Sequence, residues 1–210
     1  DNRVRQALKL CQHREKILSL AFFGEGLQGQ DVHVSPTHPE YCKVETPQYD
    51  PDKSKALLAE AGYPNGLKVD LVTNSSLPEI VRYAEILQQD AKKGGFDIKI
   101  VTVPSSTYWE KWTEYHLGIT TWGHRPLGTM VLNLAYSSDE NGKPAPWNET
   151  KWVDPEFQKL LKEANGTFDV EKRRKIFCRL EAIQQERGSI GNAFWMNTWL
   201  TAAKRVHGVK

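Results

Sequence analysis

The sequence predicts an α/β fold, a mainly parallel sheet flanked by helices, and three observations carry that prediction. Residues 67–72 and Phe96–Val103 alternate apolar and polar side chains, the period of a half-buried strand. Each is followed by a stretch of helical periodicity, and a third strand-like run covers residues 117–122. Strand, helix, strand, helix, strand is the order of parallel neighbours joined by crossover helices. Composition agrees: 39% hydrophobic and 26% charged residues over 210 positions suit one large domain or two small ones folded around a real core.

Taken in order, residues 2–22 read as one helix, with Val4, Leu8, Cys11, Leu18 and Phe22 on a shared face. Residues 23–48 lose all periodicity to Gly, Pro, His and polar side chains, and loops of that length are functional or packed across another surface. Asp50 and Pro51 start a short helix that Gly62 and Pro64 stop. After the first strand, Ser76 and Pro78 open a helix whose buried face is Ile80, Ala84, Leu87 and Ala91, and Gly94-Gly95 ends it. Pro104-Ser105 starts another, reaching about His116. Asp154-Pro155 and Asp169 cap two more, carrying Phe157, Leu160 and Leu161, then Ile176, Phe177, Leu180 and Ile183. Residues 191–200 read as a last, aromatic-rich strand.

Several function classes are disfavoured. A net charge of +2, with basic residues dispersed among acids, does not describe a nucleic-acid surface. The densest basic run, Lys172-Arg173-Arg174-Lys175, reads as a solvated helix face. No apolar run approaches the ~18 residues of a membrane span. The chain opens at Asp1 already in helical pattern, which suggests a mature or excised fragment. Cys11, Cys42 and Cys178 lack zinc spacing; buried free thiols are the expectation, with one disulfide as the alternative. No metal site or cofactor is expected. Gly24-Glu-Gly26-Leu-Gln-Gly29 has the letters of a dinucleotide loop, but a helix precedes it and none clearly follows, so it reads as a glycine-rich loop. No G-x-S-x-G elbow is present.

The strongest candidate site is Thr121-Trp122-Gly123-His124-Arg125, just past the carboxyl end of a strand, where open α/β sheets place ligands. It offers a flat apolar ring, a fixed cation with five donors and an imidazole. The competing reading is a structural loop, with Trp122 in the core and Arg125 paired to a local acid. Trp147 and Asn148 form a second aromatic-plus-amide pair in a proline-rich loop.

The segment from Tyr49 to Pro64, YDPDKSKALLAEAGYP, closely resembles a segment of the family 5 extracellular solute-binding proteins, the substrate receptors of ABC importers for peptides, nickel and related small molecules. Asp1-Asn2-Arg3-Val4-Arg5-Gln6-Ala7 with His13-Arg14-Glu15-Lys16-Ile17, the 24–41 loop, 152–157, 171–174 and 206–208 resemble other family segments in the same order. The resemblance implies a type II periplasmic-binding-protein fold and a two-lobed receptor of which residues 1–210 are the second lobe. The N-terminal lobe would lie outside the chain, with Val206-His207-Gly208-Val209 as the path back to it. It further implies a periplasmic or lipid-anchored location, ABC permease subunits as partners, and capture of a small-molecule or peptide ligand without chemistry. In peptide-binding members a W-x-x-D pattern follows the third strand, its Asp receiving the ligand's amine. Trp122 matches the Trp, but Arg125 stands at the Asp position, so an anionic ligand group fits better unless Arg125 turns away. On this reading Trp122, Gly123, His124, Arg125, Trp147 and Asn148 hold the ligand. The reading from a different class is a small α/β hydrolase using His124 and Arg125 on an anionic substrate.

Overall fold

The structure is a computed structural model and describes residues 1–208; Val209, in the expected return path, lies outside the described residues. The helix expected over 2–22 is two helices, α1 (Asn2–Leu10) and α2 (Arg14–Phe22). Asp1 caps the first through the Arg3 amide, and His13 caps the second by accepting from the Lys16 amide at 3.3 Å. The break turns Gln12 inward, where it donates to Asp31 and accepts from the Tyr83 hydroxyl. Beyond α2, β1 (Leu27–Gln28) pairs antiparallel with residues 194 and 195. Gly26, at φ 110°, lies against the Trp195 carbonyl where a Cβ could not fit, so this glycine serves backbone approach.

The next elements follow expectation closely. Asp50 caps α3 (Pro51–Glu60) by accepting from the Lys53 amide. Strands β2 (Leu67–Asn74) and β3 (Phe96–Val103) run parallel in full register, Leu67 beside Phe96 and Asn74 beside Val103. Between them lies α4 (Pro78–Lys93), ended by Gly94 and by Gly95 at φ 93°. Ser76 does not cap it: the hydroxyl donates to Asn74 Oδ1, and Leu77 at the cap position supplies no side-chain bond.

After β3 the expectations need correction. α5 (Ser105–Lys111) is shorter than read. The expected third strand over 117–122 makes a single parallel bridge, Val72 to Gly118, and then leaves the sheet. Thr120 and Trp122 are instead held by side-chain bonds to Glu149. A helix not foreseen, α6 (Gly128–Tyr136), follows; its first amide, on Gly128, donates to Glu40 Oε2, so the partner sits 88 residues away in sequence. α7 (Pro155–Asn165) and α8 (Val170–Arg187) carry the Asp154 and Asp169 caps as read. The final strand β4 shrinks to Phe194–Trp195, with Trp199 and Leu200 exposed beyond it.

Two apolar cores result. One joins α1 to α4 and the β2–β3 pair through Ala7, Ile17, Leu58, Leu71, Leu87 and Phe96. The other joins α6, α7 and α8 through Leu132, Tyr136, Phe157, Leu161, Phe177 and Leu180. The irregular segment after β1 runs between them and is fastened by charge. Asp31 accepts from Arg14 at 2.6 Å with both side chains essentially dry. Glu40, fully buried, pairs with Arg173 at 3.0 Å. Thus Arg173 is no part of a solvated face; Arg174 stays at the surface, paired with Glu171 and donating to the Pro39 carbonyl, and Lys172 and Lys175 are exposed.

The cysteines also depart from expectation. Cys42 and Cys178 form a disulfide that ties the irregular segment to α8. Only Cys11 is a free buried thiol, raised to about 11 chiefly by burial, against Ser54 and Gly94. Beside the disulfide, fully buried Glu181 accepts from the Cys42 amide at 3.0 Å, and burial pushes its carboxyl up to about 8.

Three outcomes are expected. Asp31→Ala strands the buried Arg14 charge and lowers urea-determined stability by about 3–5 kcal/mol. The disulfide spans 136 residues of sequence, so its reduction lowers stability by about 2–4 kcal/mol, read as a shift between melts with and without dithiothreitol. Glu181 has a folded pKa above its unfolded value, so stability is greatest below about pH 4.5 for this group and falls as pH rises towards 8. Thermal melts of Glu181→Gln should lack that component of the decline.

Candidate functional site

Past the carboxyl ends of β2 and β3 the chain lays four tryptophans around one half-open cleft of about 270 Å³. α5 supplies Trp109, and Trp112 follows at its end, three residues on. The segment that leaves the sheet supplies Thr120, Thr121, Trp122, Gly123 and Arg125, and the loop before α7 supplies Trp147. Trp112 is the hub, its ring centre 5.8 Å from Trp109, 6.0 Å from Trp122 and 5.8 Å from Trp147. Trp122 and Trp147 close the triangle at 5.9 Å. The planes meet steeply, at 63° to 88°, so ring edges pack on ring faces and other faces stay open.

A polar chain holds this arrangement from behind. Tyr108 bonds to the Thr120 hydroxyl at 2.8 Å, Thr120 donates to Glu149 Oε2 at 2.5 Å, and the Trp122 indole donates to Oε1 at 2.9 Å. Burial raises the Glu149 carboxyl above its usual range, and the bonds from Thr120 and Trp122 pull it partly back. Both oxygens are therefore occupied by groups that orient the cleft. On the other side, His33 sits edge-on to Trp122 at 4.9 Å and bonds the Tyr136 hydroxyl at 3.0 Å. Burial pushes His33 down to about 3, so it is neutral.

The loop itself is pinned from below. His38 Nδ1 accepts from the Ser35 amide, which leaves Nε2 to donate to the Arg125 carbonyl at 2.7 Å. Glu40 fixes the following turn at Gly128. Arg125 folds back along its own loop, one terminal nitrogen donating to the carbonyls of Gly123 and His124 at 3.0 and 3.1 Å. Among the described residues no acid pairs with it. Trp122 combines the two readings, half-buried against the second core while still lining the cleft.

Of the six residues singled out from sequence, the structure brings Trp122, Gly123, Arg125 and Trp147 together at the cleft. His124 is exposed and stacks on His38 at 5.4 Å, outside the lining. Asn148 is fully buried; its amide donates to the Trp152 carbonyl and accepts from Thr150, so it shapes the loop that presents Trp147. Trp109, Trp112, Thr120 and Glu149 were not singled out. The three-residue spacing of Trp109 and Trp112 was the one available signal.

The chain resembles known proteins in sequence and in fold. The family model for bacterial extracellular solute-binding proteins, family 5 Middle, matches residues 1–143. The dipeptide-binding protein of Escherichia coli (strain K12) is 28% identical over 197 residues, covering 89% of this chain and 36% of its own length. Heme-binding protein A of Haemophilus influenzae is 32% identical over 189 residues, covering 86% of this chain and 34% of its own length. The chain thus spans about a third of the length of these relatives. In fold it superposes on AgaA, a PBP from A. tumefaciens R10 solved with agropinic acid, with a TM-score of 0.81 at 24% identity over 93% of this chain and 40% of that one. The architecture is that of the type II periplasmic binding proteins. With the family model covering residues 1–143, the chain belongs to the bacterial extracellular solute-binding proteins of family 5.

Proposed function

We propose that the chain is one lobe of a two-lobed receptor that captures a small solute or peptide outside the cytoplasm, in the periplasm or on a lipid anchor, and delivers it to ABC permease subunits. The observation that carries this reading is the half-open tryptophan cleft at the edge of the sheet. One wall is built and rigid; the other side is open, as half of a clamp requires. Family membership and the one-third share of the relatives' length support it. The mechanism is capture, closure and release without a bond being made or broken. Trp122 and its neighbours supply ring area, Arg125 supplies charge, and closure of the second lobe excludes water and fixes the solute. Transport follows when the closed form docks on the permease.

Hydrolysis at His124 has no support in this geometry. Among the described residues no acidic side chain orients that imidazole, and its ring stacks on His38 instead of on a nucleophile. The relatives compared above are named as binding proteins. We therefore read the chain as a binding protein and not an enzyme.

Titration calorimetry of the 210-residue chain with alanyl-phenylalanine tests the shared-cleft idea. Half a cleft should bind weakly, with a Kd above about 100 µM, and Trp122→Ala should weaken it by about a further tenfold. Submicromolar binding by the chain alone would overturn the proposal.

A further inference from the structure

We infer that the cleft selects a flat aromatic carboxylate, a one- or two-ring body carried between the tryptophan faces with its anionic group at Arg125. The inference rests on reading the cleft as the solute site. Trp109 is 43% and Trp147 47% exposed although both pack on Trp112, so large apolar ring surface faces water. Burying that surface would stabilise the fold by about 25 cal/mol per Å², a gain the arrangement forgoes, and the uncovered faces are left as contact area.

What the faces offer is area, not hydrogen bonds. The Trp122 N–H is committed to Glu149, which fixes the ring plane and leaves its face as the contact surface. Three rings meeting at steep angles form a corner against which a planar body can stack on one ring and meet the edges of the others. This side of the cleft alone offers about 270 Å³, enough to seat a body of one or two fused rings.

Charge decides the sign of the ligand. Aromatic walls by themselves also attract cations. Among the described residues the only charged side chain lining the cleft is that of Arg125, and Glu149, bonded to the Trp122 indole, has both oxygens taken by Thr120 and Trp122. One terminal nitrogen of Arg125 is anchored to its own loop, while Nε and the other terminal nitrogen have no protein acceptor among the described residues. A guanidinium held in place with free donors is suited to bind a carboxylate in a bidentate pair.

The test uses the four cleft indole N–H signals in NMR spectra of the 210-residue chain, titrated with 2-naphthoate, 2-naphthylmethylammonium, cyclohexanecarboxylate and alanyl-alanine. The expected result is that naphthoate moves these signals and binds about tenfold more tightly than either the ammonium or the cyclohexane carboxylate. Arg125→Gln should abolish the preference over the ammonium, and Trp147→Ala should weaken naphthoate about fivefold. Both side chains are solvent-accessible and in loops, and dispersion of the remaining signals reports whether each variant is folded. Equal or tighter binding of the ammonium, or an unchanged preference in Arg125→Gln, would overturn the inference. Response to alanyl-alanine without response to naphthoate would overturn it while leaving the receptor reading intact; silence towards all four probes at about 10 mM, far above the weak affinity expected of half a cleft, would remove the cleft as a solute site altogether.

Discussion

Residues 29–48 form no regular structure yet run between the two apolar cores, and the rest of the molecule depends on how that segment is held. Backbone passing through an interior without a ladder must find other partners for its polar groups. Here they come from α8: Gln184 accepts from the His33 amide, and Gln185 donates to the carbonyls of Gln30 and Glu45. Arg14 and Asp31 tie the same segment to the first core, and Glu40 with Arg173 ties it to the second. The Cys42–Cys178 disulfide adds a covalent tie. Such pairs are costly to desolvate, but once formed they are costly to break, which suits a connector that must keep one path.

The site inherits its position from that connector. His38 holds the Arg125 carbonyl and Glu40 holds the first amide of α6, so both ends of the candidate loop are referenced to the buried segment. From above, the Tyr108–Thr120–Glu149–Trp122 chain sets the ring that the other tryptophans pack against. The cleft is consequently stiff on this side. In a clamp, rigidity in one wall leaves the free energy of ligand contact available for closing the other.

The relatives are named for a dipeptide and for heme, and the structural neighbour was solved with agropinic acid. Proteins of one framework are thus named for unlike solutes, and function on a shared fold lives in the side chains grafted onto it. In this chain the cleft carries a cluster of four indoles, and an arginine where the resemblance led one to expect a carboxylate. Reversing a single fixed charge in a partly dry cleft changes which end of a zwitterion can approach it.

Local signals determined much of this protein. The period-two strands at 67–72 and 96–103, the Asp50, Asp154 and Asp169 caps, and the Gly94-Gly95 stop were legible because each is decided by neighbours in sequence. The family resemblance was legible for the same reason, being carried by short segments in a set order. Tertiary structure alone decided the rest. α6 was not legible because the partner of its first amide, Glu40, is remote; the third strand keeps only the Val72–Gly118 bridge, and beyond it the side chains of Thr120 and Trp122 bond to Glu149. Asn148 was indistinguishable from a ligand-facing amide until burial placed it under its loop, and Trp109 and Trp112 joined the site only when α5 folded beside residues 120–125. Sequence spacing reports which residues share a face of one element; which faces of different elements meet is set by long-range packing and buried pairing, and neither has a local period.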